Sequence, residues 1–161
     1  MAEDKKVYAY LGQIDVAYTK HSHPPVFTVE EANQHWESIT GMHCKNLFLR
    51  DKKGRQHYLV VLESSKQVDV KKLNEQLNER LSFASPERLL KHLGLTSGSV
   101  SPFGLINNTD NEVTLILDRD IEESQEVNFH PNINTETLTL KTADFMRYVH
   151  AVGNQWQFLN I

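Results

Sequence analysis

Residues 44–62 read CKNLFLR-DKKG-RQ-HYLVVL and decide the fold, because two apolar runs flank a short polar turn. The runs 44–50 and 57–62 are rich in residues that favour strands. Residues 51–54 have the length of a four-residue hairpin loop, and glycine stands last, where a left-handed conformation is required. The stretch therefore predicts an antiparallel hairpin whose one apolar face consists of Leu47, Leu49, Leu59 and Val61.

Helix and strand signals continue on both sides of this hairpin. Thr28-Val29-Glu30-Glu31 forms a capping box for a helix to about residue 38, and Ser85-Pro86 begins another that Gly94 ends. Further helices are predicted for residues 4–11 (stopped by Gly12), 68–81 and 142–149 (capped by Thr142), and further strands for residues 16–21, 113–117, 126–129, 136–140 and 156–159. These elements predict one α+β domain over residues 1–161 with a mixed, mainly antiparallel sheet.

Composition limits the class of protein. The 161 residues are 39% hydrophobic and 24% charged, which is typical of a globular chain. A formal net charge of −4 argues against a general DNA or RNA binder but permits a protein that holds only the tip of a nucleic acid. No apolar run approaches the roughly 20 residues of a membrane helix, and the N-terminal residues lack the apolar core of a signal peptide. We therefore expect a cytoplasmic protein with no membrane partner.

Metal and cofactor chemistry finds little support in the sequence. The single cysteine, Cys44, rules out an intrachain disulfide. Eight histidines are present, yet there is no C-x-x-C or H-E-x-x-H motif, and His21 and His23 form the closest pair. Two ligands make a weak metal site. We expect neither a metal nor a cofactor.

The stretch Gly98-Ser-Val-Ser-Pro-Phe-Gly-Leu105 is the strongest candidate for a ligand-binding loop. Two glycines six residues apart enclose two hydroxyls, a proline and an aromatic ring. Such clusters most often form plain turns. The alternative is a loop whose backbone N–H groups point at a ligand oxygen. A Ser–His–acid hydrolase using Ser99 or Ser101 is disfavoured, because the G-x-S-x-G elbow is absent.

Three side chains outside this loop are candidates with ordinary alternatives. Lys45 begins a strand of leucine and phenylalanine, where it either discourages aggregation or meets an anion at the end of the sheet. His130 follows a strand, as a solvated turn residue or as a substrate contact that could titrate near neutrality. Cys44 is better explained as a small buried side chain than as a nucleophile.

Five motifs together resemble one known family. HPPVFTVEEA (23–32), KNLFLRD (45–51), SFASPER (82–88), GSVSPFGL (98–105) and NFHPN (128–132) occur in the order seen in the prolyl-tRNA editing domain family, the YbaK-like aminoacyl-tRNA deacylases. The resemblance covers residues 23 to about 143. The glycine loop and the lysine strand are most similar to the stand-alone alanyl-tRNA(Pro) deacylase branch, although Cys44 stands where that branch more often has a small polar residue.

The resemblance implies a partly closed sheet flanked by helices, and hydrolysis of the ester that joins a wrong amino acid to proline tRNA. It implies that Lys45 and the loop residues Gly98, Ser99, Val100, Ser101 and Gly104 are catalytic, and that the substrate contacts are His23, Thr28, Val29, Asn46, Phe103 and His130. The implied partners are the acceptor end of mischarged proline tRNA and, transiently, prolyl-tRNA synthetase.

The binding energies by which an enzyme distinguishes similar amino acids agree with an editing role. A synthetase cannot exclude a smaller amino acid by binding alone, because a missing methylene is worth only about 1–3 kcal/mol. A second pocket sized for alanine excludes proline, because the larger proline ring would overlap the walls of the pocket. Two alternatives remain open at this point: a cysteinyl-tRNA(Pro) deacylase of the same fold, and a non-catalytic module that binds aminoacyl-tRNA.

Overall fold

The computed structural model describes residues 5–25, 30–31, 34 and 39–161. Its helices are α1 (Lys5–Gln13), α2 (Val70–Leu77), α3 (Pro86–Leu93), α4 (Arg119–Glu123) and α5 (Thr142–Val152). Its strands are β1 (Thr19–Ser22), β2 (Met42–Arg50), β3 (His57–Glu63), β4 (Ser82–Phe83), β5 (Val113–Asp118), β6 (Glu126–Phe129), β7 (Glu136–Lys141) and β8 (Trp156–Leu159). Two 3-10 helices, Ser97–Ser99 and Pro102–Asn107, lie between α3 and β5. The predicted α+β class is confirmed.

The predicted helix at residues 28–38 falls largely outside the described residues, and so do Thr28 and Val29. Glu30, Glu31 and Gln34 are helical. Among the helices of the described ranges, none is long and apolar enough to cross a membrane.

The eight described strands form one mixed sheet. Their order is β1-β7-β6-β2-β3-β5-β8, and β4 pairs with β2 outside this path. Four neighbouring pairs are antiparallel (β1/β7, β6/β7, β2/β3, β2/β4) and three are parallel (β2/β6, β3/β5, β5/β8). The prediction of a mixed, mostly antiparallel sheet is confirmed.

The hairpin of β2 and β3 forms as predicted, but its apolar faces differ from the prediction. Gly54 has a φ of +69° in the turn. The register pairs Leu47 with Val60 and Phe48 with Leu59. Leu47 and Leu49 therefore share a face with Val60, whereas Leu59 and Val61 lie on the other. The predicted single face was wrong because β3 is buried on both sides, so its sequence carries no alternation that could assign a face.

Helix ends follow the local capping chemistry. Ser85 Oγ accepts a hydrogen bond from Arg88 N at 3.3 Å, and Gly94 ends α3 with a φ of +67°, both as predicted. In contrast, α2 starts later than expected, where the Asp69 carboxylate accepts from Lys72 N, and it ends at Asn78 in a left-handed conformation. Leu81 lies beyond it. The apolar spacing therefore continued past the true end of the helix.

The ends of several other helices and strands also differ from the predicted ones. Gly12 does not stop α1, which continues to Gln13 and ends before Asp15, whose φ is +57°. Thr142 does not cap α5, because that helix starts at Thr142 itself and runs to Val152. β1 begins at Thr19 rather than at residue 16. The short elements α4 and β4 were not predicted.

Two buried clusters lie on opposite faces of the sheet. The larger one takes Cys44 and Phe48 from β2 and packs them with Phe103, Phe145 and Tyr148 beneath the helices. The smaller one takes Leu49 from β2 and Leu73 from α2. Alternate residues of β2 therefore face different halves of the molecule, which determines how the candidate site is built.

Candidate active site

The sheet opens at β2. Strand β6 runs parallel to β2 but pairs with it only at Met42 and His43, and β4 joins the same edge only at Leu49 and Arg50. Residues 44–47 of β2 therefore have no strand partner on that edge among the described residues. We call this opening, between β2 residues 44–47 and the end of β6, the split. Backbone and side chains from both faces of the sheet can reach a ligand placed there.

The glycine loop is attached to β2 at the split. Asn46 Nδ2 donates a hydrogen bond to the carbonyl oxygen of Val100 at 3.2 Å. Asn46 Oδ1 is buried and accepts no hydrogen bond from the described residues. A buried amide oxygen without a donor costs about 1–3 kcal/mol, so this atom is suited to accept a hydrogen bond from a ligand. The sequence prediction that Asn46 and the loop belong to one site is consistent with this contact.

The loop uses several of its own N–H groups internally. Ser99 N donates to Thr96 O, Gly104 N donates to Ser101 O, and Phe103 N donates to Ser101 Oγ at 3.1 Å. Proline at 102 has no N–H. The N–H groups of Gly98 and Ser101 make no hydrogen bond within the described residues. Ser101 is fully buried, whereas Gly98 is partly exposed, so the Gly98 N–H is the loop donor that a ligand oxygen can reach.

Gly104 and Phe103 have structural reasons for their positions. A Cβ built on Gly104 would lie 2.6 Å from Leu95 Cδ1, so glycine lets the loop pack against the residues that follow α3. The Phe103 ring is fully buried and stands edge-on to Phe129 and Tyr148. Of the loop side chains expected to shape the pocket, partly exposed Val100 is the one that can face a substrate.

Lys45 and the loop stand on opposite faces of β2. Successive side chains of a strand alternate, and Asn46 is turned toward the loop, so Lys45 leaves the strand on the other side. The last β2/β6 pair joins His43 to Asn128. The pairing ends there, and His130 comes directly after Phe129, the last residue of β6. Lys45 and His130 therefore lie on the two borders of the split, one on β2 and the other at the end of β6, and the loop contacts β2 on the face opposite to Lys45.

His130 is held in one tautomer. Its Nδ1 lies 2.8 Å from the carbonyl oxygen of Glu136, and a carbonyl can only accept, so Nδ1 carries the proton and Nε2 is left as an acceptor. Burial and, to a lesser extent, nearby His23 lower the pKa of His130 below its ordinary 6.5. The expected titration near neutrality is thus moved to lower pH, and His130 is neutral at pH 7.

His23 lies beside His130, and the resemblance implies that both are substrate contacts. The two ring centroids are 5.9 Å apart. His23 Nδ1 donates to Pro24 O at 2.9 Å, which leaves Nε2 to accept from the hydroxyl of Thr137 at 2.8 Å. The ring is therefore fixed against β7 at the edge of the site.

With this geometry, comparison with known proteins identifies the family. The sequence model of the aminoacyl-tRNA editing domain matches residues 23–148. The chain belongs to the aminoacyl-tRNA editing domain family. It is therefore an enzyme of the aminoacyl-tRNA deacylase kind, and the resemblance found in the sequence is confirmed.

Full-length relatives support this assignment. The editing domain is 40% identical over 162 residues to the prolyl-tRNA editing protein ProX of Acetoanaerobium sticklandii, covering 100% of this chain and 99% of the relative. It is 34% identical over 155 residues to the prolyl-tRNA synthetase associated domain-containing protein 1 of Mus musculus, covering 93% and 91%. A crystal structure of a proposed trans-editing enzyme for prolyl-tRNA synthetase has the same fold, with a TM-score of 0.75 at 20% identity over 100% of this chain and 99% of that one.

Cys44 is not suited to act as a nucleophile in the editing domain. Its side chain is buried, and burial together with the negative charges of Asp118 and Glu63 raises the pKa of the thiol far above its ordinary value. The prediction of a small buried side chain is confirmed. Within the described ranges, no three His, Cys, Asp or Glu side chains are grouped so that they could hold a metal ion.

Two features of the editing domain were not found from the sequence. Both side-chain amide atoms of Asn132, two residues after His130, are buried and have no partner within the described residues. An asparagine after a proline looks like an ordinary turn residue, so only burial reveals it.

The second feature is an open cleft of about 700 Å³ between the β2/β3 turn and α2. Its cationic lining residues are Lys52, Lys53, Lys71 and Arg80, and its acidic ones are Asp51, Glu75 and Glu79.

Proposed function

We propose that the editing domain hydrolyses the ester of alanyl-tRNA(Pro) and leaves prolyl-tRNA(Pro) intact because the pyrrolidine ring is too large for its pocket. The observation that carries this proposal is the hydrogen bond from Asn46 to Val100, which places the loop and the unused N–H of Gly98 at the split, on the face of β2 opposite to Lys45. The prolyl-tRNA editing protein at 40% identity over the whole chain supports the same substrate class.

The reaction needs few protein groups, because an aminoacyl ester is already reactive. The N–H group of Gly98 donates to the ester carbonyl oxygen and stabilises the negative charge that develops on it. A water molecule forms the new bond to the carbonyl carbon, and the bond to the ribose oxygen breaks. The proton that the water loses is accepted by the leaving ribose oxygen. The neighbouring ribose hydroxyl positions the water, so no protein base is required.

The ligand lies in the split, with its acyl group toward the loop and its adenosine toward Lys45 and His130. The Lys45 ammonium group anchors the phosphate of the terminal adenosine. His130 Nε2 accepts a hydrogen bond from a ribose hydroxyl or from the attacking water. Asn46 Oδ1 accepts from the α-ammonium group of the amino acid. His23 completes the substrate contacts at the edge of the site. Thr28, a contact that the resemblance implies, lies outside the described residues.

The pocket rejects proline through its side walls. Val100 limits the space around the alanine methyl group. Val29, which the sequence analysis expects as a further wall, lies outside the described residues. A ligand that is too large overlaps the pocket walls, and this repulsion discriminates more strongly than the few kcal/mol that favourable contacts can supply, because tightly packed protein groups move little. Correctly charged tRNA therefore survives the encounter.

The acceptor end of proline tRNA is the macromolecular partner. Lys52, Lys53 and Arg55 at the β2/β3 turn contact its phosphates, and the cleft beside this turn adds Lys71 and Arg80. From Lys45 to this turn, β2 rises about 20 Å, a distance that a few nucleotides of the acceptor end can span. Because the net charge is −4, the protein does not hold RNA tightly through a broad basic surface, and it can therefore release correctly charged tRNA. Prolyl-tRNA synthetase is a transient partner from which the mischarged tRNA is received in the cytoplasm.

A three-substrate assay tests this proposal. Purified protein is mixed with alanyl-, cysteinyl- and prolyl-tRNA(Pro), and the loss of each ester is followed against a protein-free control. We expect alanyl-tRNA(Pro) to be hydrolysed at least about 100-fold faster than prolyl-tRNA(Pro), a ratio that overlap can provide. Preferential loss of the cysteinyl ester would assign the protein to the cysteine-clearing branch. Equal loss of all three would contradict the size argument, and loss of none would make the domain a binding module.

A further inference from the structure

Strand β4 brings an exposed phenylalanine close to the split. Within the described ranges, Phe83 and Leu90 are the most exposed large hydrophobic side chains, at 60% each. β4 pairs with β2 at Leu49 and Arg50, on the same edge of β2 that the split leaves open. A single exposed apolar side chain is ordinary on a protein surface. The place of Phe83 beside the candidate site distinguishes it from such a side chain.

The side chain of Phe83 lies on the same face of the sheet as Lys45. Directly paired residues of an antiparallel ladder point to the same side, so Phe83 follows its partner Leu49, which belongs to the smaller buried cluster. Lys45 stands four residues before Leu49 and shares its face, because side chains alternate along a strand. The next residue of the chain, Ala84, packs against the larger cluster on the other face, as this alternation requires.

Cationic side chains stand on both sides of Phe83. The levels of Lys45 and Phe83 on β2 are about 13 Å apart, from a rise of about 3.3 Å per residue. In the other direction, Arg80 precedes Phe83 by three residues and lines the cleft beside the β2/β3 turn, together with Lys52 and Lys53. A phosphate backbone that runs from the split to this cleft therefore passes Phe83. Cations that alternate with an exposed aromatic ring are the arrangement that binds single-stranded nucleic acid.

We propose that the ring of Phe83 stacks on an unpaired nucleobase that precedes the terminal adenosine of the substrate. This inference rests on the function proposed above, in which Lys45 anchors the phosphate of that adenosine. From this phosphate the acceptor strand continues toward the cations of the cleft and brings the preceding bases to Phe83. Bases inside the acceptor stem are already stacked on both sides, so an unpaired base of the 3′ end offers the free face. The acyl group lies at the loop, on the opposite face of β2, and does not compete for the ring.

The kinetic test replaces Phe83 with alanine, leucine and tryptophan, and its control is Leu90→Ala. Leu90 is equally exposed and apolar, but it lies on α3. Deacylation rates are measured over a range of concentrations of whichever of the three esters the parent hydrolyses. For Phe83→Ala and Phe83→Leu we expect KM to rise about 5- to 50-fold with kcat changed less than about 3-fold, because stacking holds the tRNA and not the reacting carbon. We expect Phe83→Trp and Leu90→Ala to keep the parental KM.

A binding test reports the stacking directly and needs no hydrolysis. The probe is an RNA hairpin with the acceptor stem and the unpaired 3′ end of proline tRNA. It is labelled with ¹³C either at the nucleotide before the terminal adenosine or at that adenosine. Base protons that lie over the face of an aromatic ring move upfield in NMR spectra. With parent and Leu90→Ala proteins we expect this upfield shift at the preceding base, and we expect Phe83→Leu to remove it while the terminal adenosine responds alike in all three.

Four results would overturn the assignment of Phe83. They are an unchanged KM in Phe83→Ala, a parental KM in Phe83→Leu, an upfield shift that persists in Phe83→Leu, and equal losses in Leu90→Ala. If the parent hydrolyses no ester, the proposed function fails, while the spectra still decide whether Phe83 stacks on the RNA. If the hairpin does not bind to the parent, the stacking assignment fails whatever the rates show.

Discussion

Replacing Lys45 with alanine is expected to lower kcat/KM for alanyl-tRNA(Pro) by about 100-fold or more without unfolding the protein. In the proposed mechanism, the ammonium group on the β2 border of the split anchors the phosphate that positions the ester. A displacement of about 1 Å at the reacting carbon costs this much in rate. The side chain is partly exposed and lies outside both buried clusters, so its loss leaves the core intact. Deacylation rates and thermal unfolding of the variant check both expectations.

Lys91→Ala is the matched control for Lys45. It also removes one positive charge, but from an exposed position of α3. We expect this variant to keep the parental rate. We further expect Lys45→Arg to retain more activity than Lys45→Ala, because it keeps the charge. A Lys45→Ala protein that hydrolyses as fast as the parent would remove Lys45 from the site.

Replacing His130 with asparagine is expected to lower kcat/KM by about 10- to 100-fold and to change the pH profile. The asparagine amide can still donate to Glu136 O, as His130 Nδ1 does, but it provides no counterpart of Nε2. In the parent, Nε2 accepts a hydrogen bond only while the ring is neutral. Since burial lowers the pKa of His130, we expect kcat/KM, after subtraction of spontaneous hydrolysis, to stay level from pH 8 to about 6.5 and to fall at lower pH.

The acid limb of the profile separates a substrate contact from a purely structural histidine. We expect the limb to have its midpoint below 6.5 in the parent and to be absent in His130→Asn. His92→Asn serves as a control, because the pKa of His92 is also lowered by burial but this residue lies on α3, away from the split. A limb that persists unchanged in His130→Asn, or that disappears in His92→Asn, would contradict the role given to His130.

The sequence correctly predicted those turns and helix ends that are determined by the residue at a single position. The turn ending in Gly54 and the caps Ser85 and Gly94 were placed correctly, because one residue determines each of them. The end of α2 was missed because Asn78 adopts a left-handed conformation without glycine. The faces of β2 and β3 were missed because the second buried cluster is formed by α2 and the far face of β3, which are brought together only in the folded chain.

Only part of the candidate site could be predicted, because its geometry also depends on contacts that form only in the folded chain. Motifs identified Lys45, Asn46, His130 and the loop, yet they could not say that Lys45 and Asn46 leave β2 on opposite faces. The split exists because β6 pairs with β2 for only two residues, and this pairing joins segments that are far apart in the sequence.

The most direct test is a crystal structure with a non-hydrolysable substrate mimic, an adenosine that carries alanine through an amide at the 3′ position. We predict electron density in the split, with the alanyl carbonyl oxygen about 3 Å from the N–H of Gly98 and the adenosine on the side of Lys45 and His130. Density for the mimic elsewhere, for example in the cleft beside Lys52 and Arg80, would contradict the account.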